Sequence, residues 1–370
     1  MVKKAAAALL FVIGLPASPA PPAPGRPGEL TPEAERAIDR GLTFLARNQN
    51  RDGSYSAANR AAKTGLAVLA FMAAGSTPER GPYAPNIRKG IDFLLECSKR
   101  RRGHITDWRT NDWSDVHNHG YGLMALAHAV GEVHDPELDE KLRDAIDLAI
   151  RLTIKAQTNS GGWGYSITIP NHNGMKDEGS CTITQIQALR ACRDAGFAVP
   201  RETVEKAVEY VRKCAYKNGF YYALEYNGAP LVRLGDGNFN KESKPRFAIT
   251  AASVSVLNAY GAPADAASKA LVDGALEYLL DFIPRKKESW DGSDFYYYGN
   301  YYAVQAVMVD RGERWKQYWP AVRDELVKRQ AQSGAWDDEK RWGYADEYTD
   351  TAFALLVLQA AKRLMPFYLE

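Results

Sequence analysis

Of the 370 residues only 4 are cysteine and 6 histidine. Cys97, Cys181, Cys192 and Cys214 are too few for a disulfide-built scaffold, and a chain of this length has no need of one. An excess of one charge is missing as well: 47 Lys and Arg against 45 Asp and Glu leave a net charge of +2. The single notable basic run, Lys99 to His104, reads as a solvated loop. With no stripe of positive charge to neutralise phosphates, the sequence speaks against nucleic acid as a partner. Long hydrophobic runs are also absent. The apolar stretch from Ala5 to Leu15 has eleven residues, against the roughly 20 that cross a bilayer as a helix. It lies between a positive MVKK and a small-residue ASPA, and a Pro-rich PAPPAPGRPG follows. This reads as a signal peptide and linker over residues 1–25, with an uncleaved N-terminal anchor as the alternative. The mature chain is expected to be exported, periplasmic or extracellular, with no transmembrane segment. In that compartment a Cys181–Cys214 disulfide and four free buried thiols both remain open.

What the chain does contain is a phrase said three times: Gln, three residues, Gly, one residue, aromatic. It stands as QNRDGSY from Gln49 to Tyr55, QTNSGGW from Gln157 to Trp163 and QAQSGAW from Gln330 to Trp336. Each follows an amphipathic helical stretch. A second phrase alternates with it, short, apolar on most faces and rich in Ala. It begins at Thr64, Gly120, Thr184, Thr250, Tyr301 and Thr351, 50 to 66 residues apart. Helices apolar nearly all round are buried. Between them the periodicity predicts amphipathic helices over about 32–48, 86–99, 138–156, 201–216, 265–282 and 319–330. Six outer helices alternating with six buried ones predict an all-α fold, an (α/α)6 toroid of six helical hairpins in one domain over residues 30–365. In the phrase itself Gly permits the positive φ needed to leave a helix, and the aromatic is expected to serve the scaffold. Weaker copies begin at Lys89, Lys206 and Gly274.

The first copy, RGLTFLARNQNRDGSY from Arg40, resembles the QW motif of squalene and terpene cyclases. The resemblance extends to the β subunits of protein prenyltransferases and covers essentially the whole mature chain. It implies the same toroid with a central aromatic-lined cavity, but the family's reactive motifs do not carry over. Protonating cyclases bear Asp-x-Asp-Asp-Thr-Ala; here EYTDTA, Glu347 to Ala352, has Thr349 where the proton donor must stand. Asp350 is then expected to cap the last inner helix. The prenyltransferase zinc site fails too, because Asp177 and Cys181 are wrongly spaced and no His follows His172. The thioester phrase of complement-like toroids is replaced by GSCTITQ from Gly179, without the Glu. No cofactor is implied.

In such a ring the loops leading into inner helices crowd one rim, and here they carry most of the unusual residues. A concave, aromatic mouth with a few polar groups is the default ligand site. The expected ligand-binding set is Trp108, Trp113, His117, His119, His172, Asp177, Trp290, Asp291, Tyr297 and Trp342, with Asp112, Asp115, Asp346 and Asp350 as candidate catalytic carboxylates. His117 and His119 on one loop, with His172 and Asp177 on the next, are a candidate divalent-metal set; hydrogen bonding at helix starts is the plainer reading. Two function classes follow. One is an exported binding protein for an isoprenoid-like or other hydrophobic ligand. The other is a secreted polysaccharide lyase or glycosidase, for which Asp112, Asp115, Asp291, Asp294 and Asp346 would be the carboxylates. The partner is a small-molecule, lipid or glycan ligand.

Overall fold

The computed structural model describes residues 29–110, 112, 114–167, 177–224, 230–231, 245–260, 265–283, 295–309, 312–337, 346–362 and 364–365. The leader read over residues 1–25 lies outside them. Amphipathic helices α1 (Pro32–Arg47), α3 (Ala84–Arg100), α5 (Pro136–Ala156), α7 (Arg201–Lys213), α9 (Ala266–Leu280) and α11 (Glu313–Arg329) form an outer layer. Buried helices α2 (Arg60–Ala73), α4 (Asp115–Val130), α6 (Gly179–Asp194), α8 (Phe247–Ala259), α10 (Tyr296–Met308) and α12 (Glu347–Gln359) form an inner one.

The division follows side-chain periodicity. Along α1 the buried residues are Ala34, Ala37, Ile38, Gly41, Leu42, Phe44 and Leu45, one stripe at helical spacing, while Glu33, Glu35 and Arg36 face water. Along α8 every residue from Phe247 to Leu257 is buried, as expected of a helix with protein on all sides. Three outer helices, α1, α5 and α9, start on side-chain caps: Thr31 Oγ1 accepts from the Ala34 amide, Asp135 from the Glu137 amide and Asp265 from the Ser268 amide, satisfying donors that the first turn leaves free.

Each inner helix packs on the next, and α12 packs on α2, so the ring closes. Outer helices lie against the inner ones, α3 on α2, α5 on α4, α9 on α8 and α1 on α12. This is the (α/α)6 toroid. Among the described residues strand is confined to two-residue pairings that turn the chain after α7, Ala215–Tyr216 with Gly219–Phe220 and Ala223–Leu224 with Pro230–Leu231. Among the described residues no helix is long and apolar enough to cross a membrane.

Helix boundaries differ from the sequence reading in two respects. Inner helices begin about a turn earlier, so Asp115, His117 and His119 belong to α4 and not to a loop. Helix α11 starts at Glu313 and runs through Pro320; its buried Trp315, Tyr318 and Trp319 hold the seven residues before the proline helical. Trp319 Nε1 and Arg323 both donate to the Glu29 carbonyl, fixing the start of the described chain against this helix. The four cysteines are free and buried, so Cys181 and Cys214 are not bridged. Both are occupied elsewhere: the Cys181 thiol points at Glu178, 3.4 Å away, and Cys214 interacts with Tyr210.

Candidate functional site

The repeated phrase makes the same contacts each time. Gln49, Gln157 and Gln330 each donate Nε2 to two carbonyls. One is Gly53, Gly161 or Gly334 of its own turn; the other is Asn86, Thr203 or Ala37 of an adjoining outer helix, all at 2.8–2.9 Å. The three glycines sit at φ +86°, +95° and +92°, and a Cβ on any of them would run into the carbonyl of Lys89, Lys206 or Arg40. The aromatics reach back one helix: Tyr55 OH to Leu45 O, Trp163 Nε1 to Thr153 O, Trp336 Nε1 to Leu326 O, at 2.7–2.9 Å. Their backbone amides donate to Thr64, Thr182 and Thr351 on the following inner helices. Phe220 does the same to Thr250 in the weaker fourth copy. All three aromatics are fully buried. The phrase bolts an outer helix, an inner helix and the neighbouring outer helix together.

In the weaker copy that begins at Lys89 the threonine is replaced by His119. The Ile105 amide donates to its Nδ1 at 3.2 Å, which puts the ring proton on Nε2, and Nε2 meets Thr153 Oγ1 at 2.9 Å. Thr153 in turn donates to the Ala149 carbonyl. Both ring nitrogens are committed. His117, two residues away on the same helix, faces the ring axis, near Tyr121 and Tyr165. Residues two apart on a helix point to opposite sides, so the expected meeting of His117, His119, His172 and Asp177 does not form around these two imidazoles. His172 lies outside the described residues, and among those described no group of three His, Cys, Asp or Glu could hold a metal.

The candidate carboxylates bind the rim together. Asp112 accepts from the Asn59 amide, Thr110 and Asn118 at 3.0–3.1 Å, linking the starts of α2 and α4. Asp115 accepts from the Ile167 amide at 2.8 Å and Ser166 at 3.2 Å, with His104 Nε2 3.8 Å away; burial raises its pKa. Asp177 receives the hydroxyls of Thr158 and Ser160. Asp346, not Asp350, caps α12, accepting from the amides of Tyr348 and Thr349 and from Lys63 Nζ at 2.8 Å. Asp350 is the fourth residue of that helix and buried, one turn too late to cap. Trp108 lies at the outside of the rim, with the guanidiniums of Arg100 and Arg109 5.2 Å and 4.6 Å from its ring. Tyr297 is buried edge-on against Tyr296. Trp113, Trp290, Asp291, Asp294 and Trp342 lie outside the described residues.

The side chains that do converge are on the axis. Helices α4 and α10 stand opposite each other in the ring, yet Tyr121 and Tyr302 bring their hydroxyls to 3.4 Å. Phe353 of α12 packs on Tyr121 and Tyr301, with centroids at 5.9 Å and 5.1 Å. One turn deeper, Gln187 donates to Gln305 at 3.0 Å. The bore is therefore plugged. Tyr121, Tyr302 and Phe353 are each the seventh residue of their helix, so the plug lies about 9 Å below the inner-helix starts. Above it, His117 and Tyr298 are surrounded by protein on all sides and still keep accessible surface. That combination is what side chains bordering an internal opening show. The rim, this wall and the tyrosine floor make a cup.

Sequence reasoning missed the carboxyl beside this cup. Glu178 is the residue before α6 and is buried. Its surroundings are Tyr165, Tyr222, Ser180 at 2.8 Å and the Cys181 thiol at 3.4 Å, all hydrogen-bonding it; Tyr165 and Tyr222 also join hydroxyl to hydroxyl. Burial raises the Glu178 pKa despite these donors. Burial likewise holds His117 neutral, with a pKa of about 4, and keeps Tyr298 protonated. The neighbouring Asp-Glu pair in the sequence was the available signal, but Tyr222 arrives from the turn after α7, which no local pattern announces.

No family model matches the chain, and no curated protein sequence matches it. Solved structures do share its architecture. The type II terpene cyclase MstE from Scytonema superposes with a TM-score of 0.57 at 14% identity, over 90% of this chain and 100% of its own. An alpha-1,6-mannanase from a Salegentibacter species gives 0.60 at 11% identity, over 90% and 100%. A cellobiose 2-epimerase from Spirochaeta thermophila gives 0.60 at 13%, over 91% and 99%. The chain has the α/α toroid fold. At such identities the likeness is one of fold, and chemistry has to be argued from the chain's own residues.

Proposed function

We propose that this is an exported toroid of the squalene cyclase and prenyltransferase type that binds an isoprenoid-like or other hydrophobic ligand in its axial cup, without cyclase activity. One observation carries the reading: aromatic side chains from opposed inner helices meet across the axis below a wall that keeps accessible surface. An apolar ligand entering there exchanges water for ring faces. The likeness to MstE, whose recorded substrate is geranylgeranyl dihydroxybenzoate, agrees with it. The mannanase, recorded with alpha-1,6-mannotriose, keeps a glycan reading in view. Against that reading, Asp112, Asp115 and Asp346 are each engaged as helix-start acceptors and not as a pair facing a gap. The missing acid at Thr349 leaves cyclisation without its donor.

The test is direct. N-phenyl-1-naphthylamine should bind the full chain at one site with a rise in fluorescence, and Phe353→Trp, which enlarges the floor, should weaken it severalfold. No dye binding together with saturable binding of manno- or cello-oligosaccharides contradicts the reading. Export is tested by fusing residues 1–25 to a reporter active only outside the cytoplasm. An inactive reporter contradicts it.

A further inference from the structure

Glu178 occupies the cap position of α6, yet its side chain makes no capping hydrogen bond. Asp346, at the same place on α12, does cap. A carboxyl buried without a task in the backbone is costly unless its surroundings hydrogen-bond it, and here two tyrosines, a serine and a thiol have been gathered around it. The cluster borders the cup: Tyr165 lies 6.2 Å from His117, ring centre to ring centre, and Tyr298 is within electrostatic reach of Glu178 and Cys181. Tyr298 packs its ring on Tyr302 and Phe353. Its hydroxyl is sealed from bulk water and meets no partner at good hydrogen-bond geometry; the Tyr302 hydroxyl is close enough to share a poorly aligned hydrogen bond with it. A buried hydroxyl held by one poorly aligned contact has donor capacity to spare for a better-placed acceptor.

We propose that Glu178, Tyr165, Tyr222 and Tyr298 form a hydrogen-bonding subsite for an uncharged hydroxyl, so that the ligand is a neutral, hydroxyl-bearing molecule and neither a plain hydrocarbon nor an anionic ester. This rests on the axial cup being the ligand site. The tyrosine oxygens accept from the incoming hydroxyl and the Tyr298 O–H donates to it. An anion would meet a carboxyl group in a water-poor wall, where repulsion is weakly screened. A hydrocarbon would leave the Tyr298 hydroxyl with nothing better than its poorly aligned contact to Tyr302.

The experiment is displacement of N-phenyl-1-naphthylamine from the full chain by farnesol, farnesane, farnesyl diphosphate and cellobiose. Farnesol should displace the dye at least tenfold more effectively than farnesane or the diphosphate. Tyr298→Phe should remove most of that advantage while melting no lower than the parent, because it deletes a hydroxyl that folding does not use. Glu178→Gln, which keeps hydrogen-bonding capacity and volume, should fold and weaken farnesol severalfold. Farnesane equal to farnesol, or Tyr298→Phe leaving farnesol unchanged, overturns the subsite and leaves the apolar cup standing. Displacement by cellobiose, lost in Tyr298→Phe, supports the hydroxyl subsite and moves the ligand to a sugar, overturning the isoprenoid reading. A dye that never binds overturns both.

Discussion

Trp336 shows what single residues do here. Its indole N–H closes on Leu326 O at 2.7 Å, its amide on Thr351, and its ring lies against Gly41. Trp336→Ala should lower the unfolding free energy by about 3–5 kcal/mol, as large buried aromatics do, measured by urea titration. Gly161→Ala should be nearly as harmful, by more than about 2 kcal/mol, since φ +95° and the Lys206 carbonyl both exclude a Cβ; a neutral outcome at either position would remove the scaffold account. The histidines give a pH signature. Burial lowers His104, His117 and His128 to a pKa of about 4 and His119 to about 3. Between roughly pH 6.5 and 4 the unfolded chain takes up protons that the folded chain refuses, so stability should rise with pH across that window and level off above it. Urea unfolding at several pH values checks this; stability flat down to pH 4 contradicts it. The role of His119 was legible in part: His119-Gly120 stands where Thr64-Gly65 stands in the first unit. Aligning the second phrase one residue earlier would have placed it in the scaffold.

At the scale of elements the decisive contact is the closure between α2 and α12. Lys63, almost wholly buried, pairs with Asp346 at 2.8 Å, and further down Gln359 donates to the Ala70 carbonyl. Burial alone would raise Asp346, but Lys63, Ser56 and the Thr349 amide together hold its pKa below the usual carboxylate range. Its contribution is therefore present above the unfolded pKa near 4 and is lost as pH falls through the folded value. Lys63→Met should cost about 2–3 kcal/mol at pH 7, less than for a fully sealed pair because Asp346 keeps some exposure, and its disadvantage should shrink in acid. Melting curves at pH 7 and 3 decide; an equal gap at both would show that Lys63 acts through packing. Most helices were legible because the two classes have opposite burial patterns. Their starts were not: α10 opens with YYYGN and α4 with DVHNHG, polar or glycine-bearing strings that become helical because the ring surrounds them.

Across the whole molecule, repetition made the architecture readable, since each phrase is local and its recurrence counts the hairpins. The cup was readable only as a probability of place. Its floor joins residues such as Tyr121 and Tyr302, 181 positions apart, and the acid at its side depends on Tyr222 from another turn; neither pairing leaves a periodic trace. The rim carboxylates misled because capping and catalysis choose the same residue types at the same helix ends. The most direct measurement is the anomalous scattering of crystals soaked with iodobenzene. A strong iodine peak on the axis, between Tyr298, Tyr121 and Phe353 and above the Gln187–Gln305 contact, is the predicted result. An axis filled by protein side chains, with iodine only on the outer surface, would contradict the cup and the function built on it.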